Sequence, residues 1–379
     1  MTTISMPANT VIMIVAGRNH DRAMELCGLL DMAHPEPWSV NDPEDSTRRL
    51  KEALAEHDVI RVFIRNSHAK ARTDIARMAA RHGYASVCLR LSDGPAVDAK
   101  AEGIDALHEV STIDGLILAF TPMPTDRRDI TTADIIGDVH GCADELTELL
   151  EKLGHMVDGV VVAHPEGRTP ILLGDLTDRG PANLRVLRIA ESLLEAGGLM
   201  VLGNHCDKLV RWLSGSNVKI AAGLAGTVEE LQVLPEDERR RLGAWLGGQQ
   251  THYVLDGGRL VVAHAGLEEA LHGRSSQGAR SFALYGKPIK GGTELDEEGY
   301  PKAEDWALSY SGDAHVVHGH VVHPEPRLVN RVWAIDQGCV FGGSLTALRW
   351  PSQEVVQVKA RATYFEPRGR NMGPGETGA

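Results

Sequence analysis

The sequence predicts an α/β protein made of two domains. Short apolar runs, which are typical of buried strands, alternate along the chain with segments in which apolar residues recur at helical spacing. The 379 residues, 42% of them hydrophobic, are enough for one domain of roughly 240 residues and a smaller companion. A linker that contains Pro122, Pro124 and several charged residues places the domains at residues 1–128 and 129–365. The Gly- and Pro-rich end, residues 366–379, is expected to be disordered.

The first domain alternates strand and helix patterns. Strands are predicted at residues 10–17, 59–64, 84–91 and 113–120, and helices at 21–31, 46–56 and 68–82. A phosphate-binding loop is expected where the first strand runs into Gly17. The segment GRNHDRA at residues 17–23 lacks the second glycine and the Lys-Ser/Thr pair that cradle nucleotide phosphates and Mg²⁺. ATP-driven phosphoryl transfer by this domain is therefore not expected.

The second domain begins with a strand predicted at residues 133–137. Leucines at helical spacing follow it and predict a helix packed on a sheet: Leu146, Leu149, Leu150 and Leu153. A further helix is predicted at 181–196, and another is predicted to begin at Thr227, because Thr227 and Glu230 have the spacing of a capping box. After a long loop at 286–305, strands at 332–336 and 344–349 are predicted to close a second sheet.

Composition and charge argue against several classes of protein. The formal net charge is −13 and the basic residues form only short clusters, so stable binding of duplex nucleic acid is not expected. The apolar runs are shorter than the roughly 20 residues that a membrane span requires, and the N-terminus has no signal-peptide pattern. The five scattered cysteines indicate a reduced, cytoplasmic setting with neither disulfides nor zinc clusters.

Five apolar runs of the second domain end in side chains that can bind metals. In chain order these side chains are Asp138 and His140, Asp175 and Asp178, Asn204 and His205, His264, and finally His318 and His320. Open α/β sheets place their chemistry at the carboxyl ends of their strands. A single buried histidine is more often a core residue, but five such strand ends in order indicate a metal centre.

These residue types suit a pair of divalent cations that act on a phosphate group. Mixed carboxylate, carboxamide and imidazole ligands favour Mn²⁺, Fe or Zn²⁺ over Ca²⁺. Asp175 can bridge two cations, and the guanidinium of Arg179 beside it can bind a phosphate.

The ordered motifs GDVHG, GDLTDRG, GNH, HAG and GH resemble those of the calcineurin-like metallophosphoesterases. This resemblance implies a four-layer β-sandwich flanked by helices. Residues 129–365 are also similar to the central phosphatase domain of the bacterial polynucleotide kinase-phosphatase of RNA repair. The passages that carry this similarity are HPEGR at 164–168, THYVLDGGRLVVAHAG at 251–266, FALYG at 282–286 and IDQGCVFGG at 335–343. By the same resemblance, residues 1–128 look like a degenerate P-loop kinase domain.

The resemblance implies a role for each site residue. The implied metal ligands are Asp138, His140, Asp175, Asn204, His264 and His320, with Asp175 bridging two divalent ions, above all Mn²⁺, with Ni²⁺, Fe or Zn²⁺ as alternatives. His205 is expected to donate a proton to the leaving group and Asp178 to orient it. Arg179 and Asn204 are expected to bind the phosphate, and Asp336 to act as a further acid near the metals.

Four positions depart from the family pattern or leave alternatives open. Cys206 stands where the family has an acid, and Gln337 replaces a small hydroxyl residue beside Asp336. Cys142 and Cys206 flank the motifs, and we interpret both as structural. His318 would face the same side of a strand as His320, although the family pattern favours the histidine after the glycine as the ligand.

The leading functional hypothesis is hydrolysis of phosphomonoesters or phosphodiesters by a metal-bridging hydroxide. Polynucleotide ends or nucleotides that carry 3′-phosphates or 2′,3′-cyclic phosphates are the expected substrates. Protein serine/threonine phosphatase and dinucleoside tetraphosphate hydrolase activities remain alternatives, because all of these enzymes share the same metal ligands. The N-terminal domain is expected to be a non-catalytic binding module. The oligomeric state is not predicted.

Overall fold

A computed structural model describes residues 2–7, 10–16, 26, 38–39, 50, 59–65, 69–81, 84–92, 94–114, 116–121, 123–220, 222–274, 277–287, 289 and 304–366. The segment GRNHDRA, most of the helices predicted at 21–31 and 46–56, the centre of the loop at 286–305 and the tail from residue 367 lie outside these residues. The chain forms two compact units, Met1–Asp126 with Ala270–Arg280 and Arg127–Glu269 with Ser281–Ala379. The domain limits at residues 128 and 365 stay a prediction.

The first unit contains a parallel five-stranded sheet with the order β3-β4-β2-β5-β6 and a separate parallel pair, β1-β7. Its strands are β1 (Thr2–Pro7), β2 (Thr10–Ala16), β3 (Trp38–Ser39), β4 (Val59–Arg65), β5 (Ala85–Leu91), β6 (Ala106–Val110) and β7 (Leu116–Thr121). Among its described residues, two helices have complete bounds, α1 (Ala69–Arg81) and α2 (Ala99–Glu102). The four predicted strands and the helix at 68–82 are thus confirmed to within a few residues.

Strand β2 forms the centre of this sheet because both of its faces are apolar. Ile12 and Ile14 belong to the core on one face, and Val11, Met13 and Val15 to the core on the other face. A strand that is buried on both sides reads as a continuous apolar run, which is the pattern of parallel sheets.

The second unit contains two mixed sheets. One has the order β13-β12-β9-β19-β20, and the other has the order β17-β18-β16-β15-β14-β8. The strands are β8 (Asp126–Arg127), β9 (Ala133–Ile136), β10 (Met156–Val157), β11 (Val160–Val161), β12 (Thr169–Leu172), β13 (Leu199–Met200), β14 (His252–Leu255), β15 (Leu260–Ala263), β16 (His315–His318), β17 (Arg327–Val329), β18 (Val332–Ala334), β19 (Ser344–Trp350) and β20 (Glu354–Lys359). Strands β10 and β11 form a separate hairpin.

Helices cover one face of the first of these sheets. They are α3 (Ala143–Leu153), α4 (Asn183–Glu195), α5 (Asn204–Leu213), α6 (Ala222–Gln232) and α7 (Glu236–Gly247). The limit between the two units falls within α8 (Gln277–Tyr285), and Leu284 near its end packs in the core with these helices. Along β9, Ile136 packs in the core with these helices, whereas Ile135 packs in the core shared with the second sheet. Ile171 and Leu172 of β12 alternate in the same way. The result is the predicted arrangement of sheets packed together and flanked by helices.

Two sequence predictions about elements are wrong. Helix α6 begins at Ala222, so Thr227 lies inside it, and Thr227 and Glu230 bond to other segments instead of forming a capping box. The strands predicted to close one second sheet belong to different sheets, because β18 pairs with β16 and β19 pairs with β9. Both errors concern partners distant in sequence, which local patterns do not report.

Asp134 on β9 is a buried anchor at the opposite end of this strand from the site. Its carboxylate accepts hydrogen bonds from His155 at 2.8 Å, from Arg168 at 2.6 Å and from Arg349 at 3.2 Å. Burial alone would raise the pKa of Asp134, but the hydrogen bonds from His155 and Arg168 lower it to about 2.

No helix in the described part of the chain is long and apolar enough to cross a membrane.

Candidate metal and phosphate site

The site forms where strand ends from both sheets meet. In the first sheet β9, β12 and β13 run parallel, so Asp138, Asp175 and Asn204 follow neighbouring strands at the same edge. In the second sheet β15 and β16 run parallel and lead into His264 and His320. Because the two sheets pack face to face, these five side chains converge.

Asp175 lies at the centre of this cluster. One oxygen, Oδ1, accepts a hydrogen bond of 3.0 Å from the backbone N–H of His205, in the first turn of α5. This position, at a helix N-terminus, favours a negative charge. The other oxygen, Oδ2, lies 3.7 Å from His140 Nε2 and 3.3 Å from His264 Nε2. Asp175 is therefore shared by two groups of ligand atoms, each within 4.8 Å: His140, Asp175 and His205, and Asp175, His264 and His320.

The backbone fixes the direction of two imidazoles. Nδ1 of His140 lies 2.9 Å from the carbonyl oxygen of Thr177, and Nδ1 of His264 lies 2.9 Å from that of Leu173. A ring that donates its Nδ1–H to a carbonyl presents an unprotonated Nε2, which is the usual arrangement of a metal-binding histidine. His264 Nε2 also lies 2.9 Å from Asn204 Oδ1, which brings the carboxamide into the second group.

Asp138 has a buried oxygen with no hydrogen-bond partner. Its Oδ2 accepts a bond of 3.0 Å from the N–H of His320, whereas Oδ1 is buried, is unpaired and lies 3.8 Å from His264 Nδ1. A buried, unpaired carboxylate oxygen is costly unless it binds a cation. The residues present thus fit a divalent metal pair, although Asp138 itself belongs to neither of the two groups that share Asp175.

Close approach explains two glycines in the motifs. A Cβ at Gly319 would lie 1.9 Å from Asp138 Oδ1, and a Cβ at Gly203 would lie 2.1 Å from Asp175 Oδ1. Any side chain at these positions would displace a carboxylate of the cluster. Glycine precedes Asn204 and His320 for this steric reason.

Burial and mutual charge shift the pKa values in opposite directions. Burial, followed by the nearby carboxylates Asp336 and Asp175, raises the pKa of Asp138 well above its usual value. Burial would also raise the pKa of Asp175, but the imidazoles of His264, His205 and His140 lower it well below its usual value. Burial lowers the pKa of His320 to about 3. The Asp175 carboxylate thus stays ionised at the centre of the site, whereas burial favours the neutral imidazole of His320.

The predicted pair of Asp178 and His205 is present, with a third residue that the sequence did not reveal. His205 Nδ1 lies 2.6 Å from Asp178 Oδ2, and both side chains are buried. The hydroxyl of Thr227 donates to Asp178 Oδ1 at 2.7 Å and accepts from the backbone N–H of Asp178 at 3.1 Å. The carboxylate is therefore fixed from both sides. Because Thr227 is 49 residues from Asp178, no local pattern could have identified it.

Glu230 of α6 holds the start of α4. It accepts hydrogen bonds from the backbone N–H groups of Asn183 and Leu184 at 3.0 and 2.8 Å. Glu230 thus caps a helix, but not the one that contains it. Asn183 Oδ1 in turn accepts from the N–H of Asp178 at 2.8 Å, so α6 supports the Asp178 loop twice.

Arg179 extends along the start of α6 toward His140. Its backbone N–H donates to Gly223 O at 2.9 Å, and Nη1 lies 3.1 Å from His140 Nε2. The guanidinium carbon lies 5.4 Å from the centre of the Phe341 ring, which is a cation–π contact. The guanidinium therefore lies beside the cluster, where it can reach a phosphate.

The remaining predicted residues lie around this centre. Asp336 is buried, accepts from the N–H of Gly338 at 2.9 Å, and has a pKa that burial raises to about 6. Gln337 is buried, and its side-chain amide has no hydrogen-bond partner in the structure. His318 directs Nδ1 to Gly319 O and belongs to neither group of ligands.

Both cysteines near the site are buried. Cys206 Sγ accepts from the N–H of Leu176 at 3.5 Å, as a structural residue would. Cys142 lies with Cys339 and Glu145 in a group whose ligand atoms are within 4.8 Å of one another, a proximity that the scattered sequence positions did not predict.

Five residues of the site have left-handed backbone conformations. The φ values are 44° for His140, 40° for Asp175, 79° for Asp178, 70° for Arg179 and 66° for His320. Such values are uncommon for residues other than glycine and mark sharp turns that direct side chains toward one point.

A family model matches this part of the chain. The model of the calcineurin-like phosphoesterases covers residues 132–324, which contain every residue of the two ligand groups. The chain belongs to this family. As a calcineurin-like phosphoesterase it is a metal-dependent hydrolase of phosphate esters, and members of the family use two divalent metal ions.

Similar proteins carry a more specific name. The bis(5′-nucleosyl)-tetraphosphatase PrpE (asymmetrical) of Geobacillus sp. strain WCH70 is 43% identical over 244 residues, which are 63% of this chain and 98% of the relative. The protein of the same name from Bacillus subtilis strain 168 is 43% identical over 62% of this chain and 98% of the relative. A crystal structure of a protein provisionally described as a diadenosine tetraphosphatase is 21% identical to this chain, with a TM-score of 0.44. The match covers 63% of this chain and 99% of the other chain. The two relatives from Geobacillus and Bacillus subtilis are thus named as tetraphosphatases and not as kinase-phosphatases.

Proposed function

We propose that this calcineurin-like phosphoesterase hydrolyses bis(5′-nucleosyl) tetraphosphates asymmetrically, which releases a nucleoside monophosphate and a nucleoside triphosphate. The observation that carries the phosphoester chemistry is the carboxylate of Asp175, shared by two groups of imidazoles. The choice of substrate is supported by relatives of that name, which match over 98% of their own length. Among the three substrate classes that the sequence left open, the dinucleoside tetraphosphate is therefore preferred.

The proposed ligands divide between two cations. Asp138, His140 and Asp175 would hold one, and Asp175, Asn204, His264 and His320 would hold the other. The unpaired Oδ1 of Asp138 and the Nδ1 contacts of His140 and His264 support this division. When bound, two divalent ions neutralise phosphate charge and lower the pKa of a water molecule. Mn²⁺ is the proposed metal because the ligands are mixed oxygen and imidazole donors, with Ni²⁺, Fe or Zn²⁺ as alternatives.

The protein's own side chains would bind and protonate the substrate. Arg179 and Asn204 would bind phosphate oxygens. His205 would donate the proton from Nε2 to the leaving phosphate oxygen, because its Nδ1 faces Asp178 at 2.6 Å. Asp178, fixed by Thr227, would hold the ring in that orientation, and Asp336 would add a further acid beside Asp138.

The test is a panel of substrates with purified, Mn²⁺-loaded protein: diadenosine tetraphosphate, a 2′,3′-cyclic nucleotide, an RNA 3′-phosphate and a phosphopeptide. We expect diadenosine tetraphosphate to give the highest kcat/KM and to yield ATP and AMP in equal amounts by ion-exchange chromatography. Asp175→Asn is the matched inactive control. Faster turnover of the RNA 3′-phosphate or cyclic nucleotide would contradict this substrate and support action on polynucleotide ends.

We propose further that the first unit is a non-catalytic binding module with a degenerate P-loop. The sequence GRNHDRA supports this, because it has no lysine to meet nucleotide phosphates. Full-length Asp175→Asn protein, which should not remove phosphate, is expected to transfer none from γ-labelled ATP to a 5′-hydroxyl oligonucleotide. Labelled oligonucleotide in that assay would contradict the proposal.

A further inference from the structure

A cavity of about 150 Å³ opens beside His320 in the second unit. We call it the Trp306 cavity; its lining includes Ala265, Trp306, His320, Val321, Glu304 and Asp305. Pockets that enclose drug-sized ligands measure roughly 300–1,000 Å³. The Trp306 cavity is therefore suited to one ring system and not to a whole dinucleotide.

The indole of Trp306 forms a rigid wall of this cavity. Its Nε1 donates to Ala265 O at 3.3 Å, and its ring packs so closely on Gly266 that a Cβ there would lie 2.0 Å from Cζ2. The rings of Phe282 and Tyr310 contact it edge-on, with centroid distances of 5.6 and 5.8 Å. The indole is only 5% exposed, so it closes the cavity as a fixed wall and loses little entropy when a ligand binds.

The charges at the rim favour amino groups over phosphates. Asp305 pairs with Arg327 at 2.7 Å, and Lys287 bonds Glu268 at 2.8 Å and lies 3.8 Å from Glu304. Of these side chains Glu304, Asp305 and Arg327 line the cavity, so two carboxylates face one guanidinium there. The side chains of Glu304 and Asp305 are 40% and 44% exposed, so their oxygens can accept further hydrogen bonds. Carboxylates repel phosphate and accept the exocyclic amino groups of bases.

The position of the cavity relates it to the phosphate site. His320 lines the cavity and belongs to the same ligand group as Asp175 and His264. Arg179, the proposed phosphate ligand, contacts His140 in the other group. A nucleotide whose phosphate lies at Asp175 and Arg179 can thus extend past His320 into the cavity.

We propose that the Trp306 cavity binds the nucleobase of the nucleotide whose phosphate lies at the Asp175 centre, and that it prefers bases with an exocyclic amino group. This assignment rests on the proposed tetraphosphatase function, since it places one nucleoside of that substrate. Burial of the base against the apolar walls supplies affinity, and the acidic rim supplies the preference for adenine over uracil.

Calorimetric titration of the Mn²⁺-loaded full-length protein with AMP and with inorganic phosphate tests the proposal without turnover. The parent should bind AMP about tenfold or more tightly than phosphate, because burial of the base in the cavity adds to phosphate binding. Val321→Trp, which fills the cavity from a residue that is 45% exposed, should remove this advantage and leave phosphate affinity unchanged. Val233→Trp, at a position that is 81% exposed, is the matched control and should behave as the parent.

The second variant is Glu304→Gln, which keeps the shape of the rim and removes one charge. It should weaken AMP binding several-fold and leave UMP binding unchanged. The proposal is overturned if the parent binds AMP no more tightly than phosphate. It is also overturned if Val321→Trp keeps the parent's ratio of AMP to phosphate affinity and Glu304→Gln keeps the parent's ratio of AMP to UMP affinity. Diadenosine tetraphosphate turnover is measured separately, so its absence would overturn the tetraphosphatase function while the AMP titration still decides on the cavity.

Discussion

At the scale of single residues, the site depends on side chains that lie behind those proposed to meet the substrate. Thr227 is fully buried and holds both the carboxylate and the backbone of Asp178. If Asp178 orients the proposed proton donor His205, then Thr227 determines how well that orientation is kept. The hydrogen bonds of its hydroxyl go to Asp178, which belongs to neither ligand group.

Thr227→Val tests this dependence, because valine keeps the shape and removes the hydroxyl. We expect kcat to fall about tenfold or more, since a hydrogen bond to a charged group contributes about 1.5–3 kcal/mol. Mn²⁺ affinity measured by calorimetry should not change, and Thr227→Ser should restore most of the rate. Equal kcat values for the parent and the valine variant would show that Asp178 is positioned by other contacts.

The contribution of His205 to the rate should depend on how much the leaving group needs a proton. His205→Asn should lower kcat for phenyl phosphate, whose phenolate leaving group needs a proton, by about 10²–10⁴-fold, the usual contribution of a general acid. The loss should be much smaller for p-nitrophenyl phosphate, whose leaving group needs no proton. Steady-state rates on the two substrates are compared, and an equal loss on both would contradict proton donation.

At the scale of elements, tight turns at strand ends set the positions of the carboxylates. Gly319 and Gly203 lie where any Cβ would meet Asp138 or Asp175, so these turns and the ligand positions cannot change independently. Helix α6 performs a similar task from the other side, because it fixes Asp178 through Thr227 and caps α4 through Glu230.

Gly319→Ala should displace the Asp138 carboxylate and weaken Mn²⁺ binding by about tenfold or more, as misplacing one ligand costs at least as much as losing an outer-shell partner. Gly226→Ala is the matched control: it lies in helix α6 with nothing within 4 Å of the added Cβ, and it should leave binding unchanged. Metal titration by calorimetry decides. Parent-like affinity in Gly319→Ala would mean that Asp138 does not bind metal.

The sequence predicted those elements whose signal is local. The strands that end in Asp138, Asp175 and His264 were found because apolar run and polar ending are adjacent in the chain. The role of Glu230 was mistaken because its partners, Asn183 and Leu184, are 47 and 46 residues away. The same reason explains why the insertion of β19 beside β9, and the meeting of Cys142 with Cys339, were not predicted.

At the scale of the whole molecule, the stability of the second unit should depend on pH through Asp134. Its folded pKa of about 2 lies below the roughly 3.9 of an unfolded aspartate. The carboxylate therefore contributes stability above pH 4, about 2.5 kcal/mol at neutral pH, and this contribution is lost as the pH falls from 4 toward 2.

Asp134→Asn should thus lower the free energy of unfolding at pH 7 by at least about 2 kcal/mol and flatten its dependence on pH between about 5 and 2. Urea denaturation at a series of pH values measures both effects. Asp129→Asn, which removes an exposed partner of Arg127, is the control and should change stability by less than about 1 kcal/mol. The same pH slope in the parent and in Asp134→Asn would exclude Asp134 as the source.

The left-handed backbone at His140, Asp175, Asp178, Arg179 and His320 has a consequence for engineering. Each such residue costs about 1–2 kcal/mol relative to a relaxed conformation, and glycine would remove that cost together with the side chain. A laboratory selection for heat resistance alone would therefore favour replacements at these five positions, and the selected variants would be more stable but catalytically inactive. Only a screen that also selects for turnover in the same round would retain the original residues at these positions.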